Sequence, residues 1–463
     1  MASLILNKQK ESELEKTVIV IGVARSGTSM VAHMLDAVGV PMGDSLSLGS
    51  KEDLELSKLV ERGSMGPELE KLIQERNSKH QIWGWKRPMA FKHMNWLHEN
   101  LRNPHFIVTF RDIPAIGMRR MMANESEFEK TFSRTVTQYE MLVLYLYSMN
   151  FPLYAFSYEW AVRQKKSFVE DVLGFLDIVP KPELISKGAD SIQLGTNQYV
   201  KQFAENRSLD VEETRNTGTL RLGEDKGEAL KCNVFLGLNI SEADELLKYL
   251  SNRRPFDKPE DRLNSEEFLF FNQWNRNTEK LLKEKKNVHI VLVLGDLLSK
   301  AADRAVGKSL NLKESIIMER SWKRLISDAE YPMLIISHEK LSVEKLRVLR
   351  ELSQFLKIKI RPEALKLKPK TRRFNHMHWL EGKVLKVEDG RVYGWYKKYK
   401  SSAKPVLILK EDGKEQERIE VELTDLQKGK QHFEFSPNWE LFNEGFELWT
   451  EEGMRLKNAK IKK

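Results

Sequence analysis

Residues Thr17–Leu35, TVIVIGVARSGTSMVAHML, restrict this chain to a narrow set of folds. The β-branched run Val18–Ile21 stops at Gly22. The loop Val23-Ala24-Arg25-Ser26-Gly27-Thr28-Ser29 follows, and Met30, Val31, Met34, Leu35 and Val38 then recur at helical spacing. That pattern predicts a buried strand, a tight turn and a helix start. Such a turn aims several backbone N–H groups and the positive end of the helix dipole at one point, where an anion is held. Gly27 permits close approach, Ser26, Thr28 and Ser29 add hydroxyl donors, and Arg25 adds a full charge. Gly27 is followed by Thr28 and not by Lys, so the lysine of the usual nucleoside-triphosphatase loop is missing. An ordinary strand–turn–helix without a ligand is the competing reading.

The segment ARSGTS resembles the 5′-phosphosulfate loop of sulfotransferases that use 3′-phosphoadenylyl sulfate (PAPS), in the form G-x-x-R-S-G-T-S found in bacteria. Two further segments are similar to the same family. His105–Asp112, HFIVTFRD, is a second buried-strand pattern ending in Arg-Asp, with Pro114 just beyond. The resemblance implies that Arg111 binds the 3′-phosphate. The family's helping Ser falls at Arg119, whose guanidinium can take its place as a phosphate donor. Leu153–Ile178, LYAFSYEWAVRQKKSFVEDVLGFLDI, resembles the family's strand, SYE turn and closing helix. Trp83–Pro88, GWKRP preceded by Trp, resembles the G-W-K-D-P-R element of the bacterial carbohydrate-type enzymes, with Arg87 where Asp is usual. On that likeness Lys86 faces the transferring group; otherwise the tryptophans are core and Lys86 and Arg87 are solvated. The implied fold is α/β, a P-loop-like parallel sheet flanked by helices, over residues 1–185. The implied reaction needs no metal.

The chain is 463 residues long, too long for one ordinary core, so several domains are expected. No apolar run is long enough to span a bilayer, and the N-terminus turns polar too early for a signal peptide. A single cysteine, Cys232, leaves no internal disulfide and fits the cytoplasm. The net charge of +9 suits a highly anionic co-substrate, with peripheral contact with a membrane face left open. No nucleic-acid module is recognisable, and the charge is dispersed. Oligomeric state is left open.

The halves of the chain repeat. Asn103–Asp112, NPHFIVTFRD, is echoed by Asn287–Asp296, NVHIVLVLGD, and Ser157-Tyr158-Glu159 by Ser337-His338-Glu339. Residues 231–370 therefore read as a second, shortened α/β unit of the same kind, with Gly295 in the place of Arg111 and no ARSGTS loop; accidental βα periodicity is the competing explanation. A polar stretch over 186–230 reads as a linker, and Lys366–Arg373, KLKPKTRR, as a basic bridge. From Trp379 to the end, Asp389-Gly390 and Asp412-Gly413 punctuate short alternating runs, which predicts a small β-sandwich over 379–463. That segment is similar to an accessory β domain of bacterial glycan-modifying transferases. Trp395 and Tyr396 are either a sugar platform or core.

Transfer to an acceptor hydroxyl also needs a base. The stretch Gly49–Glu55 resembles the family's acidic segment past the first helix, and Glu52, then Asp53, then Glu55 are the candidates; each also reads as an exposed helix carboxylate. The expectation is a PAPS-dependent sulfotransferase acting on a polysaccharide or glycolipid. The alternatives are a catalytically inactive nucleotide- or glycan-binding module in a glycan-assembly complex and, third, a nucleotide kinase with an unusual loop.

Overall fold

The computed structural model describes residues 2–8, 15–46, 50–62, 66–124, 127–148, 151–192, 219–222, 233–238, 246, 268–271, 276–284, 288–303, 305, 309–327, 331–356, 360, 372–374, 376–377, 380–398, 406–421, 423–427, 430–450 and 455–463. Cys232, most of the 186–230 stretch and most of the basic bridge lie outside these residues. The chain forms two compact units: residues 1–145, 150–303 and 313–373, and residues 146–149, 304–312 and 374–463.

The first unit holds two sheets. The first is built from β1 (Ala2–Leu6), β2 (Lys16–Gly22), β3 (Ile82–Lys86), β4 (Pro104–Phe110) and β5 (Leu153–Ser157). Inward from a short edge strand, Arg372–Phe374, it runs β1-β5-β4-β2-β3. β5, β4, β2 and β3 are mutually parallel, and β1 closes the edge antiparallel. Every residue of β2, β4 and β5 is buried. That is why these strands are near-continuous apolar runs: a parallel sheet covered by helices on both faces has no solvent side. The covering helices include α1 (Thr28–Ala37), α2 (Leu54–Glu61), α3 (Pro67–Lys79), α4 (Met94–Asn100), α5 (Ile113–Asn124), α6 (Phe128–Ser148), α7 (Tyr158–Arg163), α8 (Lys165–Phe175) and α9 (Pro182–Ser191). Val31, Met34 and Leu35 of α1 and Phe168, Val172 and Phe175 of α8 share one core with Val18, Val20 and Phe156.

The second sheet consists of β6 (Thr219–Leu222), β7 (Asn233–Leu238), β8 (Phe268–Phe271), β9 (Val288–Leu294) and β10 (Met333–Ser337), ordered β6-β10-β9-β7-β8. Its last four strands are parallel and β6 is antiparallel. Order and sense are those of the first sheet, strand for strand, and the repeated segments Asn103–Asp112 and Asn287–Asp296 carry the equivalent strands β4 and β9. The helices among the described residues here include α10 (Arg276–Lys283), α11 (Leu297–Asp303), α12 (Leu312–Ser327), α13 (His338–Val343) and α14 (Lys345–Leu356).

Among its described residues the second unit carries a short parallel pair, Ser309–Leu310 with His376–Met377, and one sheet of eight strands: β11 (Leu380–Glu388), β12 (Arg391–Lys398), β13 (Val406–Glu411), β14 (Lys414–Glu420), β15 (Leu423–Gln427), β16 (Lys430–Phe435), β17 (Gly445–Thr450) and β18 (Arg455–Lys462). They form two antiparallel sets, β14-β13-β17-β18 and β11-β12-β16-β15, joined through one parallel pair, Lys383 with Lys457. Both sets contribute to one core, including Val392, Phe433, Leu409 and Leu448. The Asp389-Gly390 and Asp412-Gly413 turns have positive φ at both positions (50° and 75°; 50° and 77°), the backbone that a two-residue hairpin of matching twist requires. Trp395 is half-buried and pairs across the strands with His432. The side chain of Tyr396 lies outside the described set.

Candidate anion site at the β2–α1 loop

The turn after β2 closes through the Ser26 N–H, which donates to Val23 O at 3.0 Å. Arg25 sits at φ 75° and Gly27 at φ 106°. A non-glycine residue in that region costs on the order of 1–3 kcal/mol, so the surrounding packing must hold Arg25 there. Gly27 has a second constraint: a Cβ would come within 2.3 Å of the Tyr158 ring. Ser26 is fully buried and its hydroxyl lies 2.5 Å from that of Thr109, which ties the loop to β4. Thr28 and Ser29 open α1, where the first N–H groups have no partner within the helix.

Arg111 emerges from the end of β4 toward this loop. Its Nη1 donates to Arg25 O at 3.1 Å, and its guanidinium carbon stands 4.3 Å above the centre of the Tyr158 ring. The Tyr139 hydroxyl accepts from Arg111 N at 2.8 Å and donates to Arg111 O at 3.1 Å. Burial holds the Tyr139 phenol well above its ordinary pKa, so it stays a protonated clamp. On α5, Arg119 is half-buried, while its neighbour Arg120 turns inward. Arg120 donates to Gln138 Oε1 at 2.7 Å, Thr135 Oγ1 at 3.0 Å and Ala24 O of the loop at 3.3 Å. Burial, and then Arg134 and Arg25, lower its pKa to about 10.

A second group of charges approaches from β3. Trp83 and Trp85 are wholly buried, and Lys86, at the strand's end, is buried with its ammonium on Glu52. Arg87 bridges Glu52 at 3.2 Å and Glu61 at 2.7 Å. Burial lowers the Lys86 pKa; Glu52 opposes that shift, and Arg87 and Arg25 add to it. Lys86 thus lies within electrostatic reach of Arg25, and the structure gathers Arg25, Lys86 and Glu52 about the loop, with Arg111 behind it.

The other carboxylates stand apart. Asp53 is fully buried and caps α2, its Oδ1 accepting from Glu55 N at 3.0 Å and Leu56 N at 3.2 Å. Its Oδ2 accepts from Arg76 Nη2 at 3.3 Å and from Asp44 N at 3.3 Å. Glu55 takes the same arginine at 2.7 Å. Both are committed to fixing α2 on α3. Sequence reasoning passed over Arg120, Tyr139 and Thr109. The signal for Arg120 was the Arg119-Arg120 pair itself, in which helix phase decides which one faces the loop.

A site with these features suits an anion. Buried or half-buried cations push on one another, one lysine is depressed, and a glycine cradle faces a helix N-terminus; an anion relieves each of these. Among the described residues no group of His, Cys, Asp and Glu is arranged to hold a metal ion, and no helix is long and apolar enough to cross a membrane.

No known family model and no curated protein matches the chain. Solved structures with a similar arrangement include a sulfotransferase domain from the curacin biosynthetic pathway (13% identity, 43% of this chain and 99% of that one, TM-score 0.30). Another is the sulfotransferase domain of the Synechococcus PCC 7002 olefin synthase (14% identity, 44% and 98%, TM-score 0.27). A sulfotransferase of Mycobacterium avium is a third (12% identity, 42% and 76%, TM-score 0.26). At such identities and scores, the residues of the site, and not the likeness, carry the functional argument.

Proposed function

We propose that this chain is a PAPS-dependent sulfotransferase that places a sulfuryl group on a hydroxyl of a polysaccharide or glycolipid. The observation that carries the reading is the convergence of Arg25, Arg111 and Lys86 on the β2–α1 loop, with Arg111 anchored on Arg25 O. PAPS supplies an activated sulfuryl group and leaves as adenosine 3′,5′-bisphosphate. Arg25, with the N–H groups of Gly27, Thr28 and Ser29, holds the 5′-phosphate and stabilises the charge that grows there. Arg111 holds the 3′-phosphate, with Arg119 as a second donor from α5; Arg120 supports the loop from behind. Glu52 takes the proton of the acceptor hydroxyl, and Lys86 orients that carboxylate and offers its ammonium to the sulfuryl oxygens. Asp53 has no role in this scheme, because capping α2 and pairing with Arg76 occupy its oxygens.

Residues 231–370 are proposed as a degenerate partner of the first domain, and residues 379–463 as an accessory domain that engages the acceptor. The grip of two cations on Glu52 favours one rival, a nucleotide-binding module without turnover. Transfer of label from PAPS to a panel of glycans decides between them. Labelled product establishes the enzyme, whereas tight binding of adenosine 3′,5′-bisphosphate with no transfer to any glycan establishes the module.

A further inference from the structure

The two sheets of the first unit meet through reciprocal contacts. Asp112, next to Arg111, accepts through Oδ2 from the Ser337 hydroxyl at the end of β10, at 2.6 Å. Asp296, in the equivalent place after β9, accepts through Oδ2 from the Ser157 hydroxyl at the end of β5, at 3.0 Å. All four side chains are buried. The helices make the same exchange, α5 packing on β10 and α11 on β5. Nearer the surface, Arg320 Nε of α12 donates to Glu140 of α6 at 3.1 Å.

The second half therefore keeps the residues that reach across and departs at those that build the site. Asp296 and Ser337 repeat Asp112 and Ser157, whereas Gly295 and His338 stand in the places of Arg111 and Tyr158. Asp112 is held on three sides. Its Oδ1 accepts from Ala115 N at 2.6 Å and starts α5, its own N–H donates to Glu159 Oε1 at 2.7 Å, and its Oδ2 takes the Ser337 hydroxyl. Its covalent neighbour Arg111 is clamped by Tyr139 through both backbone polar groups. A buried polar network in which each group is answered is rigid, and removing one member leaves its partner desolvated and unanswered.

We propose that Ser337 is a positioning residue for the nucleotide site: the second half is a built-in brace that fixes the Arg111–Asp112 turn and so aims the Arg111 guanidinium at the 3′-phosphate. This rests on Arg111 being the 3′-phosphate ligand. The test is calorimetric titration of the full chain with adenosine 3′,5′-bisphosphate and, separately, with adenosine 5′-monophosphate. Ser337→Ala should weaken the bisphosphate about five- to twentyfold and change the monophosphate less than about twofold. Ser337→Thr, which keeps the hydroxyl, should restore both. Arg111→Ala is the control and should show the same selectivity more strongly. If it shows none, the nucleotide assignment falls and the brace with it. If Arg111→Ala is selective while Ser337→Ala binds both ligands as the parent does, or loses both equally, the brace alone is overturned. Should Ser337→Ala not fold, Asp112→Asn decides by the same selectivity, since it can keep the Ala115 contact while weakening the Ser337 contact.

Discussion

The two sheets of the first unit share one strand order and treat positive charge in opposite ways. Around the first sheet, Arg25, Lys86, Arg111 and Arg120 gather near one loop, and two of them, Lys86 and Arg120, have pKa values depressed mainly by burial. Around the second, Lys300 is buried against Glu319, both fully enclosed, so the charge is answered within the core. Gly295 takes the place of Arg111 and His338 that of Tyr158. Scaffold and charge placement are thus separable: apolar runs set the strand order, and a few side chains at the strand ends decide where positive charge gathers.

The sharpest way to break this contrast is Arg25→Ala, which should lower the transfer rate about 10²–10³-fold, as removal of an oxyanion donor does. A variant with parental turnover would remove the loop from the mechanism. Arg111→Ala should weaken adenosine 3′,5′-bisphosphate about 10- to 150-fold, the range of a charged hydrogen-bonding contact, in the same titration that counts sites. One nucleotide per chain is expected, since only the first half has the loop; two would erase the difference between the halves. A pH series sharpens the comparison. Burial holds the Lys86 pKa below that of an ordinary lysine, and the protonated form is the one that attracts an anion. PAPS affinity should therefore be flat at neutral pH and fall by at most about tenfold per pH unit above the depressed pKa. Lys86→Arg should carry the plateau to higher pH, and an unchanged profile would take Lys86 out of the site. The smallest effect belongs to the second unit: Trp395→Ala should raise the Michaelis constant for a polymeric acceptor by a few-fold, about the worth of one aromatic contact, with PAPS affinity unchanged. Loss of PAPS binding would make Trp395 a structural residue.

Much of the scaffold was legible from letters alone. Val18–Ile21, Phe106–Phe110 and Val288–Leu294 are apolar runs that suit a sheet covered on both faces, and each forms a buried strand. The Asp-Gly pairs place the hairpins of the second unit. ARSGTS and Arg111 are local signals, and the structure brings that loop and that arginine together. What escaped depends on tertiary geometry. Whether Arg119 or Arg120 reaches Ala24 is a matter of helix phase. Ser26 reads as a ligand donor, and its hydroxyl lies 2.5 Å from that of Thr109, 83 positions on. Asp53 stands in front of a helix and was readable as a cap, but the likeness to an acidic family segment drew it toward the base role.

The reciprocal Asp–Ser pairs have a further consequence, because both partners belong to one chain. In an association of separate subunits such contacts come apart on dilution. Here the partner is tethered, and the effective concentration of a tethered partner does not depend on the protein concentration. The nucleotide site should accordingly have the same affinity in a nanomolar and in a micromolar solution of the protein.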